Sequence, residues 1–164
     1  MAIDIPRNEH LEPQSTPIKV GERAPDFTLL NHDREPVSLK ELLAKGGDVV
    51  LSFYPFDFTG VCGKEMACYT NDFDRFADKG ATVVGISCDS FAAHNAWRKR
   101  DNITITLLSD LRREVCKGYG FYWEAVNAAS RGTAVIGADG VVKWVSAREP
   151  SQAVDNEQVL EAIG

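Results

Sequence analysis

The chain has 164 residues, 44% of them hydrophobic, and a formal net charge of −6. That length holds one domain with one core and is short for two. The acidic balance disfavours nucleic acid and anionic membrane surfaces as partners, and no stretch approaches the roughly 20 apolar residues that span a bilayer.

Residues 1–19 are polar, with prolines at 6, 13 and 17, and read as an N-terminal arm ahead of a single domain over 20–164. They carry neither an apolar segment nor a cleavage signature, so no signal peptide is expected and a cytoplasmic location is. Residues 26–30 suggest a strand and 31–34 a turn. Ser38 and Glu41 fit a capping box for a short helix over 39–45, which Gly46-Gly47 ends. The run 49–54 is a buried strand. Residues 62–77 read as one helix, with Met66, Tyr69, Phe73 and Phe76 at roughly helical spacing. A buried strand over 81–87, a helix over 91–100, a strand over 104–108 and a short helix over 110–118 follow. Arg98-Lys99-Arg100 reads as a solvated helix end, where cations complement the dipole. Strands over 133–137 and 141–145 are joined by Ala138-Asp139-Gly140, a hairpin signal, and a helix over 156–163 closes the chain. The alternation predicts a central, partly parallel mixed sheet with helices on both faces. Loops after parallel strands emerge at one sheet edge, so the segments after Tyr54 and Ser87 should be neighbours.

The most informative segment is Tyr54-Pro55-Phe56-Asp57-Phe58-Thr59-Gly60-Val61-Cys62-Gly63-Lys64-Glu65. A strand stops at a proline, a loop follows, and Cys62 falls in the first turn of a helix. Unpaired backbone N–H groups and the positive end of the dipole act there, and both favour thiolate over thiol. Thr59 can aim a hydroxyl at whatever approaches the sulfur. A cysteine taken at random is buried and inert; the spacing of Pro55, Thr59, Cys62 and Glu65 argues against that here.

This four-point pattern resembles the active-site motif of the peroxiredoxins, thiol peroxidases without metal or haem, and the likeness extends over about residues 20–164. The nearest likeness is to the one-cysteine alkyl hydroperoxide reductase branch, on Phe58-Thr59-Gly60-Val61-Cys62 and Ser130-Arg131-Gly132-Thr133. The resemblance implies a thioredoxin-like fold with an N-terminal extension. It implies reduction of hydrogen peroxide and organic hydroperoxides through a sulfenic acid on Cys62, with no cofactor. Thr59 would hold the peroxide, Pro55 would shield the site, and Arg131 would stabilise the thiolate and the charge on the departing oxygen. Glu65 would orient Arg131; on its own it reads as a solvated carboxylate near a helix start. A thioredoxin-like protein or a small thiol would serve as reductant, and a homodimer is the expected assembly.

The other cysteines match no resolving position of the family. Cys68 follows Cys62 by six residues, a rise of about 9 Å within one helix, against a disulfide limit near 7 Å between Cα atoms. Direct pairing would need the first turns to unwind, which Gly63 would ease. Cys88 and Cys116 read as packing positions. No Cys-x-x-Cys is present and no cysteine has a histidine at ligand spacing, so no metal is expected. Asp89-Ser90 reads as a helix cap, and His94 and Trp97 read mainly as packing, with general-base work by His94 the lesser reading. The rival functions are a peroxide sensor or redox relay using the same cysteine, a disulfide reductase, which the missing Cys-x-x-Cys opposes, and a purely structural domain.

Overall fold

The computed structural model describes residues 3–164, so Met1 and Ala2 of the expected arm lie outside the described residues. Three apolar runs lie side by side at its centre. Strand β3 (Val49–Phe53) is buried along its whole length and pairs in parallel with β4 (Thr82–Ser87), which pairs in parallel with β5 (Thr106–Ser109). Strands buried on both faces read as continuous apolar runs, and these do. On the other side of β3 lies antiparallel β8 (Gly132–Ile136), joined by the expected hairpin to β9 (Val142–Ala147). Antiparallel β1 (Thr28–Asn31) and β2 (Pro36–Ser38) complete a seven-stranded sheet of order β2-β1-β5-β4-β3-β8-β9.

Each face of the sheet carries its own apolar cluster. One holds Cys62, Met66, Tyr69, Trp97, Val159 and Leu160, supplied by α2 (Gly60–Asn71), α4 (Phe91–Asp101) and α6 (Asn156–Ala162). The other holds Leu39, Leu42, Val115, Cys116, Tyr119 and Phe121, from α1 (Leu39–Leu43), α5 (Glu114–Gly118) and the segment after it. The Ser38 side chain caps α1 by accepting from Glu41 N, as its sequence predicts. Leu11 and Ile18 of the N-terminal segment are buried in the second cluster. That segment is also hydrogen-bonded: the Asn8 side chain exchanges bonds of 3.0 and 2.9 Å with the Thr28 backbone, and Ile18 N donates to Tyr119 O at 3.0 Å.

The structure corrects several expected boundaries. The helix over 62–77 is two helices, α2 and α3 (Phe73–Asp78), separated at Asp72. Thr70, Asn71 and Asp72 are three successive weak helix formers, and the Asp72 carboxylate accepts from Asn156 Nδ2 at 2.9 Å. The break leaves Phe73 exposed and buries Phe76. The helix expected over 110–118 starts only at Glu114, because Arg113 is left-handed at φ 59°. The short strand β2, and a hairpin of β6 (Tyr122–Trp123) and β7 (Ala128–Ala129) around a 3₁₀ turn, are too brief for periodicity to reveal. Arg98 is not simply solvated: its side chain donates to Ile105 O at 3.0 Å.

Candidate active site

Strand β3 ends where Pro55 cannot extend the ladder. The chain turns through Phe58, left-handed at φ 63°, and enters α2 at Thr59. Thr59 has the extended backbone of an N-cap, but its side chain makes no cap bond. Its Oγ1 donates instead to Phe56 O at 2.8 Å. The hydroxyl proton is therefore engaged, and the oxygen lone pairs are left to accept from a ligand. The first α-helical bond runs from Gly63 N to Thr59 O at 2.8 Å, so the N–H groups of the preceding residues have no intrahelical acceptor. Cys62 lies among them, 1% exposed.

Arg131, in the turn before β8, meets the sulfur: its Nη2 donates to Cys62 Sγ at 3.1 Å. Its Nη1 donates to Glu65 Oε1 and its Nε to Pro150 O at 3.0 Å, so all three nitrogens of the guanidinium are engaged. Glu65 lies one turn along α2 and is fully buried, not the solvated carboxylate that its position alone suggests. Its second oxygen accepts from Arg148 Nη2 and from Val154 N, both at 2.8 Å. Arg148 also donates to Thr133 Oγ1 at 3.0 Å. With Cys62 as thiolate, two buried anions face two buried guanidiniums, and every charge has a bonded partner. Pro55, Phe56, Thr59, Cys62, Trp123 and Arg131 line a pocket of about 360 Å³ with a largely apolar rim.

Arg148 gives no sequence signal. It lies just past β9, 83 residues from Glu65, and only closure of the fold brings them together. The loop after Tyr54 and the turn after Ser87 are neighbours as expected: Asp57 N donates to Asp89 Oδ2 at 2.9 Å. His94 does more than pack. Fully buried, its Nδ1 lies 2.7 Å from Asp57 Oδ2, while Tyr54 Oη donates to Asp57 Oδ1 at 2.7 Å. Burial and the nearby Asp57 charge raise the Asp89 carboxyl above its ordinary range. This network ties the loop over 55–59 to α4 and β4 without reaching the sulfur.

Cys68 lies on the same unbroken α2 as Cys62 and is partly buried. Burial, Asp72 and Glu65 push its thiol upward, which makes it a poor nucleophile near neutral pH. Cys88 and Cys116 belong to the cluster on the opposite face of the sheet from Cys62.

Comparison with known proteins places the chain in a family. The family model described as AhpC/TSA family matches residues 20–145. The chain belongs to the AhpC/TSA family, the peroxiredoxins. It is 37% identical over 153 residues to a bcp peroxiredoxin of Coxiella burnetii, covering 90% of this chain and 97% of that one. It is 36% identical to the mitochondrial thioredoxin-dependent peroxide reductase of Rattus norvegicus, over 88% of this chain but only 59% of that longer protein. The crystal structure of peroxidoxin BcpB from Mycobacterium tuberculosis superposes with a TM-score of 0.81 at 28% identity, covering 88% of this chain and 96% of that one. The fold is thus thioredoxin-like, and the chain is an enzyme of the thiol-dependent peroxidase class. Within the family the similarity supports the bcp-like branch, where sequence motifs alone put the nearest likeness with the one-cysteine branch.

Proposed function

We propose that Cys62 is the peroxidatic residue of a hydroperoxide reductase acting on hydrogen peroxide and organic hydroperoxides. The Cys62 thiolate attacks the terminal peroxide oxygen. The O–O bond breaks, the S–O bond forms, and the second oxygen leaves as water or an alcohol after taking a proton. Cys62 is left as a sulfenic acid. A reductant thiol then attacks its sulfur, expelling water and forming a mixed disulfide, which a second thiol reduces.

The observation that carries this reading is the 3.1 Å bond from Arg131 to Cys62 Sγ, with Arg131 itself held by Glu65. A fixed guanidinium stabilises the attacking sulfur and then the oxygen that leaves with negative charge. Thr59 Oγ1 accepts a hydrogen bond from the peroxide O–H, and the open N–H groups at the start of α2 donate to the peroxide oxygens. Pro55 walls the pocket against water and further peroxide. The apolar rim, with Phe56, Trp123 and Val126, suits the carbon portion of an organic hydroperoxide.

We further propose external resolution. The basis is the intact helix between Cys62 and Cys68 and the separation of Cys88 and Cys116 on the other sheet face. The reductant is a thioredoxin-type protein, in keeping with the name of the mitochondrial relatives. The domain covers 20–164 with 1–19 as an arm, the assembly is a homodimer and the location cytoplasmic. No helix among the described residues is long and apolar enough to cross a membrane. The names of the relatives favour an enzyme over a peroxide sensor or relay. A coupled assay with thioredoxin, thioredoxin reductase and NADPH tests the reading. Cys62→Ser is expected to lose turnover with an unchanged circular-dichroism spectrum; turnover near wild type would overturn it.

A further inference from the structure

Three of the four cysteines are not used by the chemistry above, and two of them, Cys88 and Cys116, touch. Cys88 directly follows β4 and Cys116 lies in α5, yet their Sγ atoms are 3.8 Å apart. They sit in the apolar cluster across the sheet from Cys62. Cys116 is fully buried, whereas Cys88 keeps an 8% exposed edge. The partners around them hold the pair in place. Asp110 accepts from Val115 N at 3.3 Å and Cys116 N at 2.8 Å, anchoring the first turn of α5. The Cys116 sulfur lies 3.5 Å from Arg113 O. Closing the 3.8 Å gap to a bond of about 2.05 Å moves each sulfur by roughly 0.9 Å, within the reach of small side-chain rotations.

We propose that Cys88 and Cys116 form a second redox centre, a dithiol that peroxide converts to an intramolecular disulfide independently of Cys62. Cys88, the less buried residue of the two, attacks the terminal peroxide oxygen; the O–O bond breaks, an alcohol or water departs, and Cys88 becomes a sulfenic acid. Cys116 then attacks the Cys88 sulfur. The S–S bond forms, the S–O bond breaks, and the hydroxyl leaves as water with the proton from Cys116. In total, two thiols and one hydroperoxide give one disulfide, one alcohol and one water, with both electrons supplied by the dithiol. The contact with Cys88, burial and the Asp110 charge push the Cys116 thiol up. Among the described residues no cation bonds either sulfur, so the pair reacts more slowly than Cys62 and records sustained peroxide excess rather than single turnovers.

A metal is the competing use of the same atoms, since Cys88, Cys116 and Asp110 each offer a ligand atom within 4.8 Å of the others. A closed zinc site takes four ligands; these are three, all buried, and both Asp110 oxygens already accept backbone N–H groups.

The test uses Cys62→Ser/Cys68→Ser, which removes the other two thiols. The folded variant is treated with excess tert-butyl hydroperoxide, alkylated in denaturant and digested without reductant. We expect a linked peptide pair carrying Cys88 and Cys116, two hydrogens lighter than the separate peptides, and the same pair in the wild-type protein. Closing a 29-residue loop should raise Tm by about 5–10 °C, reversed by dithiothreitol. Adding Cys116→Ala should abolish the rise. The proposal is overturned if both thiols stay alkylatable, if either oxidises without a link, or if the Tm rise survives Cys116→Ala. It is also overturned if native mass spectrometry with added zinc shows one retained ion that Cys116→Ala releases.

Discussion

Each face of the sheet buries a reactive residue type, and the company differs. On one face Cys62, 1% exposed, receives an Arg131 N–H at a helix start with uncapped N–H groups. On the other, Cys116, 0% exposed, meets a second thiol and the Asp110 carboxylate, and its thiol is pushed upward. Burial is the same on both faces, so burial does not separate them. A cation and oriented backbone dipoles face the first sulfur; a neighbouring thiol and a carboxylate face the second and push the Cys116 thiol up.

Removing the cation should have the largest effect. Arg131→Ala is expected to slow reaction with peroxide by about 100–1,000-fold, the scale of losing one donor to developing charge. Arg131→Lys should recover part of that, because an ammonium cannot serve Glu65 and the sulfur with one rigid fork. Stopped-flow oxidation of the reduced protein reads both, and a wild-type rate in Arg131→Ala would erase the contrast between the faces. Glu65→Ala leaves the Arg131 and Arg148 guanidiniums buried without their shared carboxylate. It should cost about 3–5 kcal/mol of stability, measured by urea unfolding. A change below 1 kcal/mol would mean that the buried ion cluster does not hold the site together.

Smaller effects sharpen the picture of what shapes the site. A Cβ on Gly132, next to Arg131, would lie 2.2 Å from the Phe121 ring. Gly132→Ala should therefore destabilise by about 1–3 kcal/mol and lower Tm. A Cβ on Gly63 would meet nothing within 4 Å. Gly63→Ala should stabilise α2 by about 0.5–1 kcal/mol with peroxide turnover unchanged. Slower turnover there would point instead to unwinding of α2 and resolution by Cys68.

Much of the Cys62 face was legible because its signals are local. Pro55, Thr59, Cys62 and Glu65 fall within eleven residues, and the strand–loop–helix pattern around them is readable from apolar runs and turn chemistry. Arg131 is marked by its Ser-Arg-Gly-Thr context and carries no physical signal of its own. Nothing in the sequence near Arg148 marks it; its partners are Glu65 and Thr133, 83 and 15 residues away. The Cys88–Cys116 contact is hidden in the sequence for the same reason, since two residues that each read as packing reveal a pair only when β4 and α5 are side by side. The split of the helix over 62–77 shows the limit of periodicity: Phe73 fits the helical spacing, but Asp72 breaks the helix before it.

The central claim is that the Arg131-bonded sulfur of Cys62 is the atom that peroxide oxidises. Cys68→Ser alters only a partly buried side chain and leaves the other cysteines in place. That variant, treated with one equivalent of peroxide in the presence of dimedone and mapped by mass spectrometry, answers the question directly. The account predicts a single dimedone adduct on the Cys62 peptide, formed as fast as peroxide disappears. An adduct on Cys88 or Cys116 with Cys62 unmodified, or peroxide left unconsumed, would contradict it.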